Sequence, residues 1–145
     1  MSTPHQSAEL ILKLYDLRRE TKMREARQWF MGFTPESADE LIETLRGPNS
    51  ANFRMVATYW DMAASLVLNG AIEEQMFHDA NAEHIAVFSK IEHVLAAYRE
   101  KSGLPHYLKH LEHLVMKIPN AKERLRATRE RLKALALARA QAAKG

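Results

Sequence analysis

The stretch Asn52–Gly70, NFRMVATYWDMAASLVLNG, narrows the possible folds more than any other part of this chain. It carries Phe53, Met55, Val56, Tyr59, Trp60, Met62, Leu66, Val67 and Leu68 within a few helical turns, spread over most of the helical circumference. A helix of that kind is not satisfied by one neighbour, so other segments must pack around it. The expectation is an all-α, single-domain bundle of about six to seven helices around a central helix near 52–69. Asn49 or Ser50 can cap its start, and Gly70 suits the left-handed residue just past its end, where a Cβ would clash.

At 145 residues the chain has the length of one domain, taken here as 1–145, and buries enough surface to fold without staples. Few glycines and prolines and abundant Ala, Leu, Glu, Lys and Arg favour helix throughout. The absence of cysteine excludes a disulfide framework, a thiolate zinc site and a cysteine nucleophile, and makes a reducing cytoplasm the expected location. MSTPHQSAEL lacks a basic region followed by an apolar run, and the longest nearly apolar stretch, Met62–Leu68, is much shorter than a membrane span. The net charge of +3 is unevenly placed: Asn120–Gly145 carries +6 and the preceding residues −3.

Along the chain, Thr3-Pro4-His5-Gln6 has the form of a capped helix start, and a long helix should run to about Met31, bending or changing partners near Thr21. Its apolar side is Leu10, Leu14, Leu17 and Thr21, then a rotated stripe of Met23, Ala26, Phe30 and Phe33. Thr34-Pro35-Glu36-Ser37 repeats the opening and starts a short helix that stops at Gly47-Pro48. Ala71–His78 reads as a short connecting helix, with Asp79 capping the next one. From Ala80 to Glu100 the residues Ile85, Phe88, Ile91, Leu95 and Tyr98 recur at core-facing steps, and Ser102-Gly103 ends the segment. Pro105 should open a helix of about four turns closed by Pro119. Asn120 and Glu123 have capping-box spacing, and a basic helix should run from about 120 to 142, with Leu125, Thr128, Leu132 and Leu135 as its apolar seam.

The run Arg54–Phe77 contains Tyr59-Trp60, Ala64, Leu66-Val67 and Asn69-Gly70, followed by Ile72, Glu73 and Phe77. In this progression it resembles a bacterial family of uncharacterised all-helical domains of unknown function. The resemblance is centred on 54–77 and implies an all-helical fold; it supplies no activity.

Three constellations are candidates for chemistry. His106, His110 and His113, at steps of four and three residues, would share one side of a helix and offer ring nitrogens to a divalent transition metal, although no HExxH or paired Glu-x-x-His accompanies them. They lie opposite the Leu104–Leu108–Leu111–Val115 stripe, so a solvated face is the simpler reading. His84 falls in register with Phe88 and Ile91, and with Glu74, His78 and Asp61 it defines a candidate ligand or polar cluster, or else a satisfied core histidine. Asp61 interrupts the central helix and needs a partner, for which Arg54, Lys90 and Arg99 are candidates. Met55, Met62 and Met76 read as gap-filling core.

On the C-terminal helix, Lys122, Arg126, Arg129 and Lys133 form a positive stripe able to meet phosphates, without an interleaved aromatic or a helix-turn-helix. With no nucleophile–base pair, phosphate loop or complete metal set, the sequence points to a non-enzymatic module acting through protein–protein contact, chiefly with itself. A nucleic-acid accessory role through the basic helix, or metal or small-ligand binding through the histidines, stands as the alternative, and no cofactor is implied.

Overall fold

Thr3 opens the first helix with a reciprocal cap. Its hydroxyl accepts from the Gln6 N–H at 3.1 Å, and the Gln6 side chain accepts from the Thr3 N–H at 3.0 Å. In the computed structural model, which describes residues 2–145 and so leaves Met1 outside the described residues, this helix is α1, Pro4–Arg18. The expected long helix does not continue to Met31. It breaks at Arg19-Glu20, and α2, Thr21–Met31, restarts because the Glu20 carboxylate accepts from the Met23 N–H at 3.0 Å. The backbone N–H groups of Lys22 and Met23 hold the Glu20 carboxyl below the usual range. Arg18 and Arg27, on either side of the break, both reach one acid, Glu83.

Thr34-Pro35-Glu36 forms no helical start. Ser37 caps α3, Ala38–Arg46, by accepting from the Glu40 N–H. The central helix α4 is Ser50–Leu68, with Gly70 left-handed at φ 82° beyond it, as the sequence indicated. Asn49 stands at the cap position, but its side chain accepts from Asn52 instead of from the backbone. α5, Glu74–Ala80, is capped by Glu73 and contains Asp79, which therefore caps nothing. α6 spans Glu83–Ser102 and ends on Gly103 at φ 74°.

The helix expected from Pro105 begins later. Residues 105–108 form turns, Leu108 adopts φ 55°, and α7 is only Lys109–Met116. α8, Ala121–Lys144, follows Asn120 at φ 56°, whose side chain makes no capping bond, so the expected capping box does not form. There are thus eight helices and no strand among the described residues, and none of these helices is long and apolar enough to cross a membrane.

The core lies between two hubs. α4 packs chiefly against α2 and α7, and α6 against α3, α7 and α8. The buried face of α4 is Phe53, Val56, Ala57, Trp60, Ala63, Ala64 and Val67. Met55 and Met62 lie on the opposite side at 39% and 43% exposure, so they are not core, because no helix covers that side of α4. On α1 the buried residues are Ser7, Ile11 and Leu14, which leaves Leu10 and Leu17 outside. Trp29, Phe30, Phe33 and Phe53 stack or meet edge-on where α2 crosses α4. Each fully buried ring contributes roughly 1.5–3 kcal/mol of transfer free energy.

Candidate functional site

His84 sits in the first turn of α6, fully buried, its ring 5.7 Å from that of Trp60 and 4.9 Å from that of Phe77. Its Nε2 lies 3.0 Å from Nδ1 of His78, which follows from the α5–α6 turn placing the two rings in a stack. Burial first, and the neighbouring His78 second, push His84 down to about 3, so it is neutral near pH 7. His84 Nδ1, Trp60 Nε1 and Arg18 Nε are all buried with no protein hydrogen-bond partner, and the Arg18 guanidinium stands 5.5 Å above the Trp60 ring. His84 itself is closed off from solvent, and its neutral imidazole joins α5 to α6 through the partly exposed His78.

The other members expected in this cluster lie elsewhere. Glu74 pairs with Lys117, the residue just after α7, at 2.6 Å. Asp61 reaches α7 as well: its Oδ1 accepts from the Leu111 N–H at 2.9 Å, and Oδ2 stands 3.3 Å from His110 Nδ1. Leu108, the residue before α7, supplies no capping side chain, so a carboxylate from α4 serves the free N–H groups of α7 and complements its dipole. None of the three basic residues expected to pair with Asp61 does so. Arg54 donates to Ser50, Lys90 to the carbonyls of Met31 and Phe33, and Arg99 to the Tyr107 carbonyl and Glu112.

The three histidines do not share one helix side. His106 falls in the turn before α7, and the left-handed Leu108 breaks the register between it and His110. His110 is half-buried against Asp61, while His113 is exposed. Among the described residues no group of three or more His, Asp or Glu side chains is placed to hold a metal.

The basic stripe of α8 is divided in its use. Arg129 donates to the Ser89 carbonyl at 3.0 Å and lies 3.8 Å from Glu92, and Lys133 pairs with Glu36, so both dock α8 onto the bundle. Lys122 and Arg126 are exposed.

Two polar centres escaped the sequence reading. Lys90 is 2% exposed, and its ammonium donates to the Met31 and Phe33 carbonyls at 3.1 and 2.8 Å, closing the C-terminal end of α2 where a cation is favoured. Burial pushes it down to about 8. Its spacing of three from Val87 and four from Val94 was the signal that placed it on the buried face. Glu83 is the second: it accepts two bonds at 2.9 and 3.0 Å from Arg27 Nε and one at 2.8 Å from Nη2, and a further one from Arg18 at 3.3 Å, tying α1, α2 and α6 together. The hydrogen bond to Glu83 raises the Arg27 guanidinium further above its ordinary value.

Beyond Leu132, α8 leaves the bundle. No residue from Lys133 to Lys144 is buried, and Leu135 and Leu137 are 42% and 61% exposed. Apart from Arg139 and Gln141, every residue of 134–143 is Ala or Leu.

Among the described residues these features make a strand-free bundle of eight helices whose internal polar groups mostly close helix ends and whose last helix projects outward. The chain belongs to the family described as a domain of unknown function, DUF4760, which matches residues 3–118 and so takes in α1 to α7. No curated protein and no solved structure matches the chain.

Proposed function

We propose that this protein acts through protein–protein contact and that its first partner is a second copy of itself, paired through the projecting end of α8. The observation that carries this reading is the mismatch between the composition of 134–143 and its environment. A helix segment rich in Ala and Leu ordinarily lays its leucines on a neighbour, yet here Leu135 and Leu137 face solvent on different sides. The apolar seam of Leu125 and Leu132, which docks α8 on the bundle, continues into Leu135 past the end of its support. The alanines around it allow close approach of a second helix, and pairing two such ends along this seam would cover both copies of Leu135 at roughly 1 kcal/mol each. Nothing in this arrangement needs a catalytic group, and the internal histidines and acids are already engaged in helix junctions.

The test is sedimentation equilibrium of the full chain beside a Leu135→Lys/Leu137→Lys double variant. The wild type should dimerise weakly, with a dissociation constant on the order of a millimolar, and the variant should be monomeric with an unchanged far-ultraviolet helical spectrum. A wild type that stays wholly monomeric to about 1 mM, or a variant that dimerises equally well, would overturn the reading.

A further inference from the structure

α2, α6 and α8 leave between them an open groove of about 600 Å³. Its floor is apolar, made by Met31, Ile85 and Ala86, and three guanidinium groups line it, those of Arg24, Arg27 and Arg131. The one carboxylate present, Glu83, is already shared between Arg18 and Arg27. Among the described residues neither Arg24 nor Arg131 has an ion-pair partner. Like charges therefore converge on a groove with an apolar floor, where screening is poorer than at an open surface. The start of α6 adds to the field, since Ala82 stands at its cap position without a side-chain cap and lines the same groove.

The apolar floor does not end there. Ile85 and Thr128 also line a narrower crevice of about 50 Å³ that passes over Val115, Ile118 and Leu125 and carries one further cation, Arg124. A site with cations along one part and aliphatic side chains leading away suits a ligand that has a charged head and an apolar body. The guanidinium fork is matched to planar or tetrahedral oxyanions.

We propose that this groove binds an amphipathic organic anion, with a carboxylate or phosphate-ester head between Arg24 and Arg131 and an apolar body laid over Met31 and Ile85 toward the crevice. Arg27 is a positioning residue here, because Glu83 fixes its direction. Arg24 and Arg131 are exposed and contribute no contact to the core, so neutralising them leaves the fold intact.

The experiment is isothermal titration of the full chain at low ionic strength with monomeric octyl phosphate. Inorganic phosphate and octanol serve as head-only and body-only probes, and vesicles of an anionic phospholipid as the lipid-surface arm. The expected result is one octyl phosphate per chain, bound more tightly than either fragment. It should weaken at least about tenfold in Arg24→Gln and in Arg131→Gln, as loss of a charge-assisted contact requires, and persist in the Leu135→Lys/Leu137→Lys variant. Each arginine variant should also melt at a higher temperature than wild type without ligand, because removing one of several facing cations relieves repulsion. The proposal is overturned if octyl phosphate does not bind saturably, if both arginine variants bind it as wild type does, or if only vesicles bind. A melting temperature that falls in either variant would mean that the guanidinium already has a partner in the fold, and would overturn it too.

Discussion

Replacing Asp61 separates a structural acid from a functional one. In the fold, Asp61 supplies the acceptor that the start of α7 lacks, at 2.9 Å from the Leu111 N–H. Asp61→Ala removes that acceptor and strands the N–H, a loss comparable to deleting a helix cap, about 0.5–2 kcal/mol. It also removes the negative charge at the positive end of α7, worth about 0.3–1 kcal/mol. The side chain is 22% exposed, so water replaces part of what is lost, and about 1–2 kcal/mol is the expected total. Asp61→Asn keeps an oxygen acceptor and loses only the charge, and should cost about half as much. For a chain of this size the alanine variant should melt roughly 3–8 °C lower. Urea unfolding followed by far-ultraviolet circular dichroism measures both costs, with an unchanged slope confirming that the same surface is exposed. Hydrogen exchange should show faster exchange at Leu111 and its neighbours before any effect elsewhere. An alanine variant within about 0.5 kcal/mol of wild type, or an asparagine variant worse than alanine, would refute this role.

Trp60→Ala empties the space between Tyr59, Phe77 and His84, and should destabilise the fold by roughly 3–5 kcal/mol in the same urea assay; a change near zero would show that α4 is not the centre of the core. His84 binds its proton near pH 6.5 in the unfolded chain and only near pH 3 in the fold, because burial and then His78 oppose the charge. The unfolded state therefore holds more protons between these values, and stability should fall as pH drops from 6.5 toward 3. Melting temperature against pH for wild type and His84→Phe tests this: the dependence should flatten in the variant, and an equal slope in both would refute it.

The parts of the fold that were legible in the sequence are those written in local signals. The Thr3–Gln6 cap, the Gly47-Pro48 stop, and Gly70 and Gly103 in left-handed geometry fix helix ends through contacts within a few residues. The misread ends depend on residues distant in the chain. Pro105 and the leucines after it have helical spacing, yet the segment turns. There Arg99 takes the Tyr107 carbonyl at 3.0 and 2.6 Å and Asp61 waits at the start of α7. The break at Arg19-Glu20 has no glycine or proline to announce it, and depends on a carboxylate that folds back onto Met23. The candidate site suffered in the same way. Periodicity placed His84 in the core and paired it with His78, but it could not show that Asp61 would meet His110 at the start of α7 while Glu74 went to Lys117.

That division of labour gives the polar residues a common logic. Short connections leave helix ends inside the bundle, and buried backbone groups must find partners there. Lys90 closes the end of α2, Asp61 opens α7, the Tyr59 hydroxyl donates to the Leu14 carbonyl, and Ser7 accepts from the Glu73 N–H at 3.0 Å. Burial pushes the Tyr59 hydroxyl up to about 12, which keeps it a donor across the physiological range. Residues that resemble a site in sequence are thus consumed by the fold. Among the groups that close no helix end and fill no core space are Arg24 and Arg131 on the groove and Leu135 and Leu137 on the projecting helix. Three of these four lie on α8, beyond residue 118 where the family match stops, and the fourth faces it across the groove. α8 therefore does more than cover α6. It forms one wall of the groove and carries the apolar end, so a ligand held by Arg131 and a partner held by Leu135 would be joined by about one turn of the same helix.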